Sequence, residues 1–294
     1  MSKAIPYRPE VDGLRTIAIL PVLLFHLGFA WIEGGFLGVD VFFVISGYLI
    51  TSIIIKESSE GKFTFRGFWM RRIRRIFPVL SIMIWVTLVV AFFISFRPEL
   101  RNYGQIAIAA LFSVANVVIL RESGSYWGPE AEDSPFLHTW SLSVEEQFYL
   151  FYPLLLIIIY RRKREFLAPF LGISCLAGFA LFVIASDISP HACFYLLPTR
   201  AWELGAGCLV AVLHSQNRCA FSRPIGGLVS GLGMILILLS YFLISGKDGV
   251  SATQGGAVFG AALIVANQQP QGLVYRILAW SPMVFVGKMS YSLY

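Results

Sequence analysis

The chain has 294 residues, of which 57% are hydrophobic and only 14% are charged, and its formal net charge is +6. Soluble domains carry about 25% charged residues, so this composition excludes an ordinary soluble enzyme. Because the basic residues cluster between long apolar runs, the positive charge indicates membrane topology and not nucleic-acid binding.

Long apolar segments recur along the whole chain. A helix needs about 20 mostly apolar residues to cross a bilayer. The predicted fold class is therefore all-α, a polytopic transmembrane helical bundle forming one domain over residues 1–294, with no soluble domain. We predict about eight or nine full spans by this length criterion. They cover approximately residues 14–32, 36–55, 76–96, 141–160, 166–186, 200–214, 225–245 and 252–268, and another begins near 284.

The basic loops predict which way the chain faces. By the positive-inside rule, the N-terminus with Lys3 and Arg8 is cytoplasmic, as are the loops 56–75, 161–164 and 218–223. This alternation leaves Tyr103–Leu120 without a crossing, so we predict a partial-depth or re-entrant helix there. The chain stops at Tyr294 inside an apolar segment that has barely begun, which indicates a C-terminally incomplete domain.

Arg15 and His26 are the first costly residues inside a predicted span. A charge at the bilayer centre costs roughly 2.5–3.5 kcal/mol on insertion scales. The two residues are eleven positions apart, which places them on one helix face about 16 Å apart along the axis. Asp12 can pair with Arg15, and a buried neutral imidazole can act as a proton acceptor. The alternative is a histidine that bonds a neighbouring helix, with Arg15 as an interfacial anchor.

Further ionisable residues lie in or beside later spans. Asp40 needs a partner within the bundle, for which we favour Arg15 or His26. Arg72 and Arg75 share a helix face at the mouth of a span and suit phosphate groups, although positive-inside topology or lipid headgroups also explain them. Glu145 can orient a base or contact an acceptor, or belong to the helix start. Arg200 and Glu203, three residues apart, can form a structural ion pair.

These segments, taken in order, strongly resemble the acyltransferase family 3 membrane proteins. The resemblance covers the whole chain and is carried by several short motifs. They are Tyr7–Arg15 with His26, Gly38–Ile50, Arg72 with Arg75, Trp140–Leu150 and Ser290–Tyr294.

The resemblance implies a bacterial inner-membrane enzyme that O-acetylates cell-surface carbohydrate, such as lipopolysaccharide O-antigen or peptidoglycan. The donor would be cytoplasmic acetyl-CoA, with no permanently bound cofactor and no metal. Related proteins often carry a C-terminal periplasmic SGNH-type domain. The resemblance makes Arg15, His26, Arg72 and Arg75 essential-type positions.

We therefore predict catalytic roles for His26, Arg15, Asp40 and Glu145, and contacts to CoA phosphates for Arg72 and Arg75. Asp40 and Glu145 would orient the imidazole of His26. His26 would either deprotonate the acceptor or pass the acyl group onward. The competing interpretations are a proton-coupled transporter, which buried ionisable residues also suit, and an inactive remnant of an acyltransferase.

Overall fold

The architecture comes from a computed structural model that describes residues 7–122, 134–219, 221–245, 251–267, 269–270 and 272–293, with only the backbone for 122 and 291–293. These ranges contain helices and no strand, which confirms the predicted all-α bundle. The α-helices are α1 (Pro9–His26), α2 (Gly38–Ser59), α3 (Phe65–Ile94), α4 (Arg97–Leu111), α5 (Ala115–Glu122), α6 (Thr139–Arg162), α7 (Leu167–Ile188), α8 (Pro190–Tyr195), α9 (Leu197–Ser215), α10 (Arg223–Leu243), α11 (Gly255–Ala266), α12 (Leu273–Leu278) and α13 (Ser281–Leu293).

Within the described residues, six helical segments are long and apolar enough to cross a membrane. The chain is therefore a multi-pass membrane protein. The six are fewer than the predicted eight or nine. Helix α1 has only 18 residues and carries Glu10, Asp12 and Arg15, and α11 has only 12 residues. Both helices pack against others in the bundle, so their short or charged sequences are covered by protein.

Two helix boundaries differ from the sequence prediction and move candidate residues. Helix α1 begins at Pro9, a favoured first helical residue, and ends at His26 before Gly28, whose φ is +79°. His26 therefore lies at the end of a helix and not within a span. Helix α3 begins at Phe65, where the Thr64 hydroxyl accepts a hydrogen bond from the Gly67 amide at 3.2 Å. Arg72 consequently lies inside a helix.

The segment predicted not to cross is divided into two helices. Helix α4 ends at Leu111 and α5 begins at Ala115, and Ser113 between them has a φ of +58°. The side chain of Gln147 donates a hydrogen bond to the Ser113 carbonyl at 2.8 Å, which satisfies a polar group exposed by the break. Neither helix has the length of a full span, in agreement with the prediction for this segment.

Helices α2 and α9 form the most extensive helix pair of the bundle. Gly47 of α2 lies against the backbone of Leu204, and Gly207 of α9 lies against the backbone of Val44, so a β-carbon at either glycine would collide with the facing helix. Small residues at such crossings allow close backbone approach. Gly47 and Gly207 therefore allow α2 and α9 to pack closely.

The bundle has two distinct ends. We call the first the basic end; there α2 and α6 finish and α3 begins, and it carries Arg8, Lys56 and Arg161. We call the opposite end the histidine end, where α1 finishes at His26 and α6 begins directly after His138. Helix α1 runs from the basic end to the histidine end, and α6 runs in the reverse direction.

Candidate active site

A polar cluster lies between α1, α2, α3 and α6 and is centred on Glu145. The Oε1 atom of Glu145 accepts a hydrogen bond from the Ser46 hydroxyl at 2.5 Å and another from the Tyr149 hydroxyl. Tyr149 is buried, whereas Glu145 and Ser46 are half-buried. Two neutral hydroxyls thus fix one carboxylate oxygen of Glu145 and join α2 to α6.

Arg15 enters this polar cluster from α1. Its guanidinium pairs with Asp12 at 3.3 Å, as the spacing predicted. Arg15 also lies close enough to Glu145, Tyr149 and Arg75 to interact electrostatically with all three. The structure therefore brings together Arg15, Glu145 and Arg75, three of the candidate residues that the sequence identified separately.

Arg72 reaches the cluster from α3. Its guanidinium carbon lies 4.2 Å from the centroid of the Tyr149 ring, within the range of a cation–π contact, and it interacts electrostatically with Glu146. The indole of Trp69 donates a hydrogen bond to the Tyr149 carbonyl at 3.1 Å, so α3 is fastened to α6 one turn before Arg72. The cluster therefore contains arginines from two helices and carboxylates from a third.

His26 lies at the histidine end and is exposed, so the prediction of a buried imidazole is wrong. The physical reason is that α1 ends at this residue. The Nδ1 atom lies 2.8 Å from the Val22 carbonyl of the preceding turn. Since a carbonyl only accepts hydrogen bonds, Nδ1 carries the proton in the neutral ring and Nε2 keeps its lone pair. We predicted that Asp40 or Glu145 would orient this imidazole ring. In the structure, the Val22 carbonyl orients it by accepting the hydrogen bond from Nδ1.

His138 is the neighbour of His26 that sequence reasoning missed. Burial, and secondly the nearby His26, lower the pKa of His138, and a hydrogen bond to the Pro135 backbone acts in the opposite direction. His138 therefore stays neutral at pH values where an ordinary histidine begins to take a proton. The two imidazoles form a histidine pair at one end of the bundle.

The histidine pair and the polar cluster lie about 16 Å apart along the helices, because eleven residues separate Arg15 from His26 at about 1.5 Å per residue. Eleven residues also separate His138 from Tyr149. The same spacing on α1 and α6 was the signal that could have identified His138 and Tyr149. Arg15 of α1 and Tyr149 of α6 lie at the level of the polar cluster, and His26 of α1 and His138, directly before α6, lie at the histidine end.

Asp40 has a different partner from the predicted one. Its carboxylate pairs with Arg200 of α9 at 2.5 Å, and Arg200 pairs with Glu203 at 3.0 Å, as the local spacing predicted for the second pair. All three side chains are buried. The guanidinium lies 5.2 Å from the Phe194 ring and 5.6 Å from the Trp140 ring. The expectation that Asp40 pairs with Arg15 or His26 is wrong, because helical spacing does not show which helix α2 will face.

The fold and site together define a polytopic membrane protein with an arginine–carboxylate cluster on one side and a histidine pair on the other. The model of the acyltransferase domain family matches residues 8–294, so the chain belongs to that family.

The chain is 32% identical to the peptidoglycan O-acetyltransferase OatA of Listeria monocytogenes, over 98% of this chain and 48% of that protein. It is 33% identical to a putative peptidoglycan O-acetyltransferase, YrhL, of Bacillus subtilis, with 98% and 48% covered. It is 34% identical to the O-acetyltransferase OatA of Staphylococcus aureus, with 98% and 49% covered. The chain thus spans about half the length of these relatives. No solved structure shows significant similarity to it.

The geometry predicts that Asp40→Ala acts on stability. Removing Asp40 breaks a buried ion pair and leaves Arg200 with Glu203 as its remaining partner. Breaking a buried ion pair typically costs about 3–5 kcal/mol. We expect a strongly lowered melting temperature in detergent, whereas Asp12→Ala, at a more exposed ion pair, has a much smaller effect. An Asp40→Ala protein with unchanged melting and no remaining activity would instead place Asp40 in the chemistry.

Proposed function

We propose that the chain is the membrane unit of an O-acetyltransferase, which takes an acetyl group from acetyl-CoA at its basic end and delivers it to a carbohydrate hydroxyl at its histidine end. The observation that carries this proposal is the alignment of the polar cluster and the histidine pair along α1 and α6. The names of the relatives, all O-acetyltransferases, support the reaction type.

The basic end suits the donor. Guanidinium groups bind phosphate oxygens in a bidentate manner, and Arg72 and Arg75 present two of them on one face of α3. By the positive-inside rule this end faces the cytoplasm, where acetyl-CoA is made, and the membrane is the bacterial inner membrane. In this proposal the phosphates remain at Arg72 and Arg75, and the uncharged thioester arm extends past Arg15 toward the histidine pair.

The histidine end suits the transfer step. The acceptor hydroxyl oxygen forms a bond to the acetyl carbonyl carbon, and the carbon–sulfur bond of the thioester breaks. The hydroxyl proton passes to the lone pair on Nε2 of His26 and then to the departing CoA thiolate. The protonated Nδ1 of His26 stays bound to the Val22 carbonyl throughout. His138, neutral because of its lowered pKa, does not add a positive charge that would oppose protonation of His26.

The acceptor in this proposal is a cell-envelope polysaccharide. The names of two relatives favour peptidoglycan over the lipopolysaccharide O-antigen. A C-terminal SGNH-type periplasmic domain, which related proteins often carry, would be a further partner of this membrane unit.

The central test is His26→Ala in the full-length protein. Loss of a general base typically lowers the rate by about 100-fold or more. We expect transfer of radiolabelled acetyl from acetyl-CoA to peptidoglycan in membrane vesicles to fall by that factor, with an unchanged amount of inserted protein. His191→Ala is the matched control, because His191 also lies at the histidine end, on α8. Retained acetylation in His26→Ala would remove His26 from the mechanism. If the unmodified protein moves a substrate across the membrane without acetylating it, the chain is a transporter. If it neither moves nor acetylates a substrate, the chain is an inactive remnant.

The donor role of α3 is tested with Arg72→Gln and Arg75→Gln. A hydrogen bond between charged groups contributes about 1.5–3 kcal/mol, so we expect the KM for acetyl-CoA to rise about tenfold or more for each variant. The matched control replaces Arg161 and Arg162, which lie exposed at the same end of the bundle on α6. An unchanged KM in the Arg72 and Arg75 variants would contradict the phosphate assignment.

The Tyr149→Phe variant distinguishes two roles of Tyr149, which are contact with the donor-binding Arg72 and positioning of Glu145. The substitution keeps the ring below Arg72 and removes one of the two hydroxyls that hold Glu145. We expect kcat to fall about tenfold, equivalent to about 1.4 kcal/mol, with little change in the KM for acetyl-CoA. Tyr152→Phe is the matched control, since Tyr152 is equally buried on α6 and bonds Thr51 at 2.8 Å. Equal kcat values for the two variants would show that Tyr149 has only a structural role.

A further inference from the structure

A cavity lined by several charged side chains lies at the basic end, beside the polar cluster. We call it the outer cavity. It has a volume of about 730 Å³ and lies between the last turns of α2, the beginning of α3 and the residues before α1. The charged residues that line it and carry the argument are Arg8, Lys56, Glu57, Glu60, Lys62 and Arg71. Small-molecule sites in proteins typically measure about 300–1,000 Å³, so the outer cavity can hold a ligand of nucleotide size.

The wall of the outer cavity is fixed by hydrogen bonds of Arg8. This guanidinium donates to the Tyr48 hydroxyl at 2.8 Å, to the Val265 carbonyl at 2.9 Å and to the Asn267 carbonyl at 2.8 Å. It also pairs with Glu10 at 2.6 Å. Arg8 therefore connects the beginning of α1 to α2 and α11, and it is a structural part of the wall of the outer cavity.

The cations at the opening differ in their pairing. Arg71 donates to both carboxylate oxygens of Glu57 at 2.8 Å, and Lys62 pairs with Glu60 at 2.9 Å. Lys56 forms no ion pair with any residue in the described part of the chain, although it is half-buried in the cavity wall. Four cations and two carboxylates line the outer cavity, so its charge favours an anion.

The sequence of α3 connects the outer cavity to the polar cluster. Arg71 lines the cavity, and Arg72, the next residue, stacks on Tyr149 inside the cluster. Successive helical residues point about 100° apart, so this part of α3 separates two adjoining anion-attracting sites. A donor that is long and carries phosphates in two places matches this arrangement.

We propose that the outer cavity binds the nucleotide end of acetyl-CoA, with Lys56 and Lys62 contacting its 3′-phosphate. The proposal rests on the proposed function. Arg72 and Arg75 then hold the pyrophosphate, and the thioester arm enters the polar cluster. Glu60 holds the Lys62 side chain at the opening of the cavity. When the donor binds, its 3′-phosphate replaces Glu60 as the partner of Lys62.

The test compares two donors that differ only in the 3′-phosphate, acetyl-CoA and 3′-dephospho-acetyl-CoA. The double variant Lys56→Gln with Lys62→Gln is measured in the full-length protein in membrane vesicles. We expect its KM for acetyl-CoA to rise about tenfold, with the KM for the dephospho donor unchanged. The double variant Lys163→Gln with Arg164→Gln is the matched control, because these residues lie directly after α6 and outside the cavity.

Three outcomes would overturn the assignment or its basis. If the KM rises equally for both donors, Lys56 and Lys62 do not recognise the 3′-phosphate. A general effect of anionic lipid headgroups at these lysines would produce that result, since it does not depend on the donor. If neither KM changes, the nucleotide does not occupy the outer cavity, while the proposed function stands. If the unmodified protein transfers acetyl from neither donor, the proposed function and the cavity assignment both fail.

Discussion

Arg200, held between Asp40 and Glu203, fixes the register of the two helices at the centre of the bundle. Desolvating three charges is expensive, and their attraction offsets this only when the geometry is good. Sliding α2 along α9 would separate Asp40 from Arg200, leave this carboxylate buried without a partner, and drive Gly47 and Gly207 out of their close contacts. The ion pairs and the glycines therefore select the same register.

The polar cluster follows from that register but is built on a different principle. Ser46 lies on α2 next to Gly47, so the α2–α9 contact determines where Ser46 meets Glu145. Glu145 is held by two hydroxyls, whereas Asp40 is held directly by a guanidinium. Arg15 also lies close enough to Glu145 to interact with it electrostatically. Asp40 and Glu145, both predicted to be catalytic, therefore lie in different environments within the bundle.

Helical periodicity predicted the relations within single helices correctly. Asp12 pairs with Arg15, Arg200 pairs with Glu203, and the local spacing of each pair was sufficient. The class of fold also followed from composition, because apolar runs of this length have few alternatives. Roles in catalysis for Arg15, His26, Asp40 and Glu145, and in donor binding for Arg72 and Arg75, remain predictions.

Relations between helices could not be predicted in this way. The partner of Asp40 depends on which helix α2 faces, and single-sequence spacing contains no such information. The exposure of His26 depends on where α1 ends, which Pro9 and Gly28 determine more than the apolar run does. The break at Ser113 depends on Gln147 of another helix satisfying its carbonyl. His138 lies two residues before the motif Trp140–Leu150, and only the contact with α1 gives it His26 as a neighbour.

In the proposed function, the separation between the polar cluster and the histidine pair would address a physical problem that acetylation across a membrane poses. Helix α1 has 18 residues and is therefore about 27 Å long, close to the roughly 30 Å of the hydrocarbon layer. Moving a phosphorylated donor over that distance would require desolvation of several negative charges. In the proposed arrangement, the phosphates stay with arginines and lysines at the basic end, and only the neutral thioester arm enters the bundle. The acetyl carbon then has to cover about 16 Å, the distance from Arg15 to His26, and no charge has to cross with it.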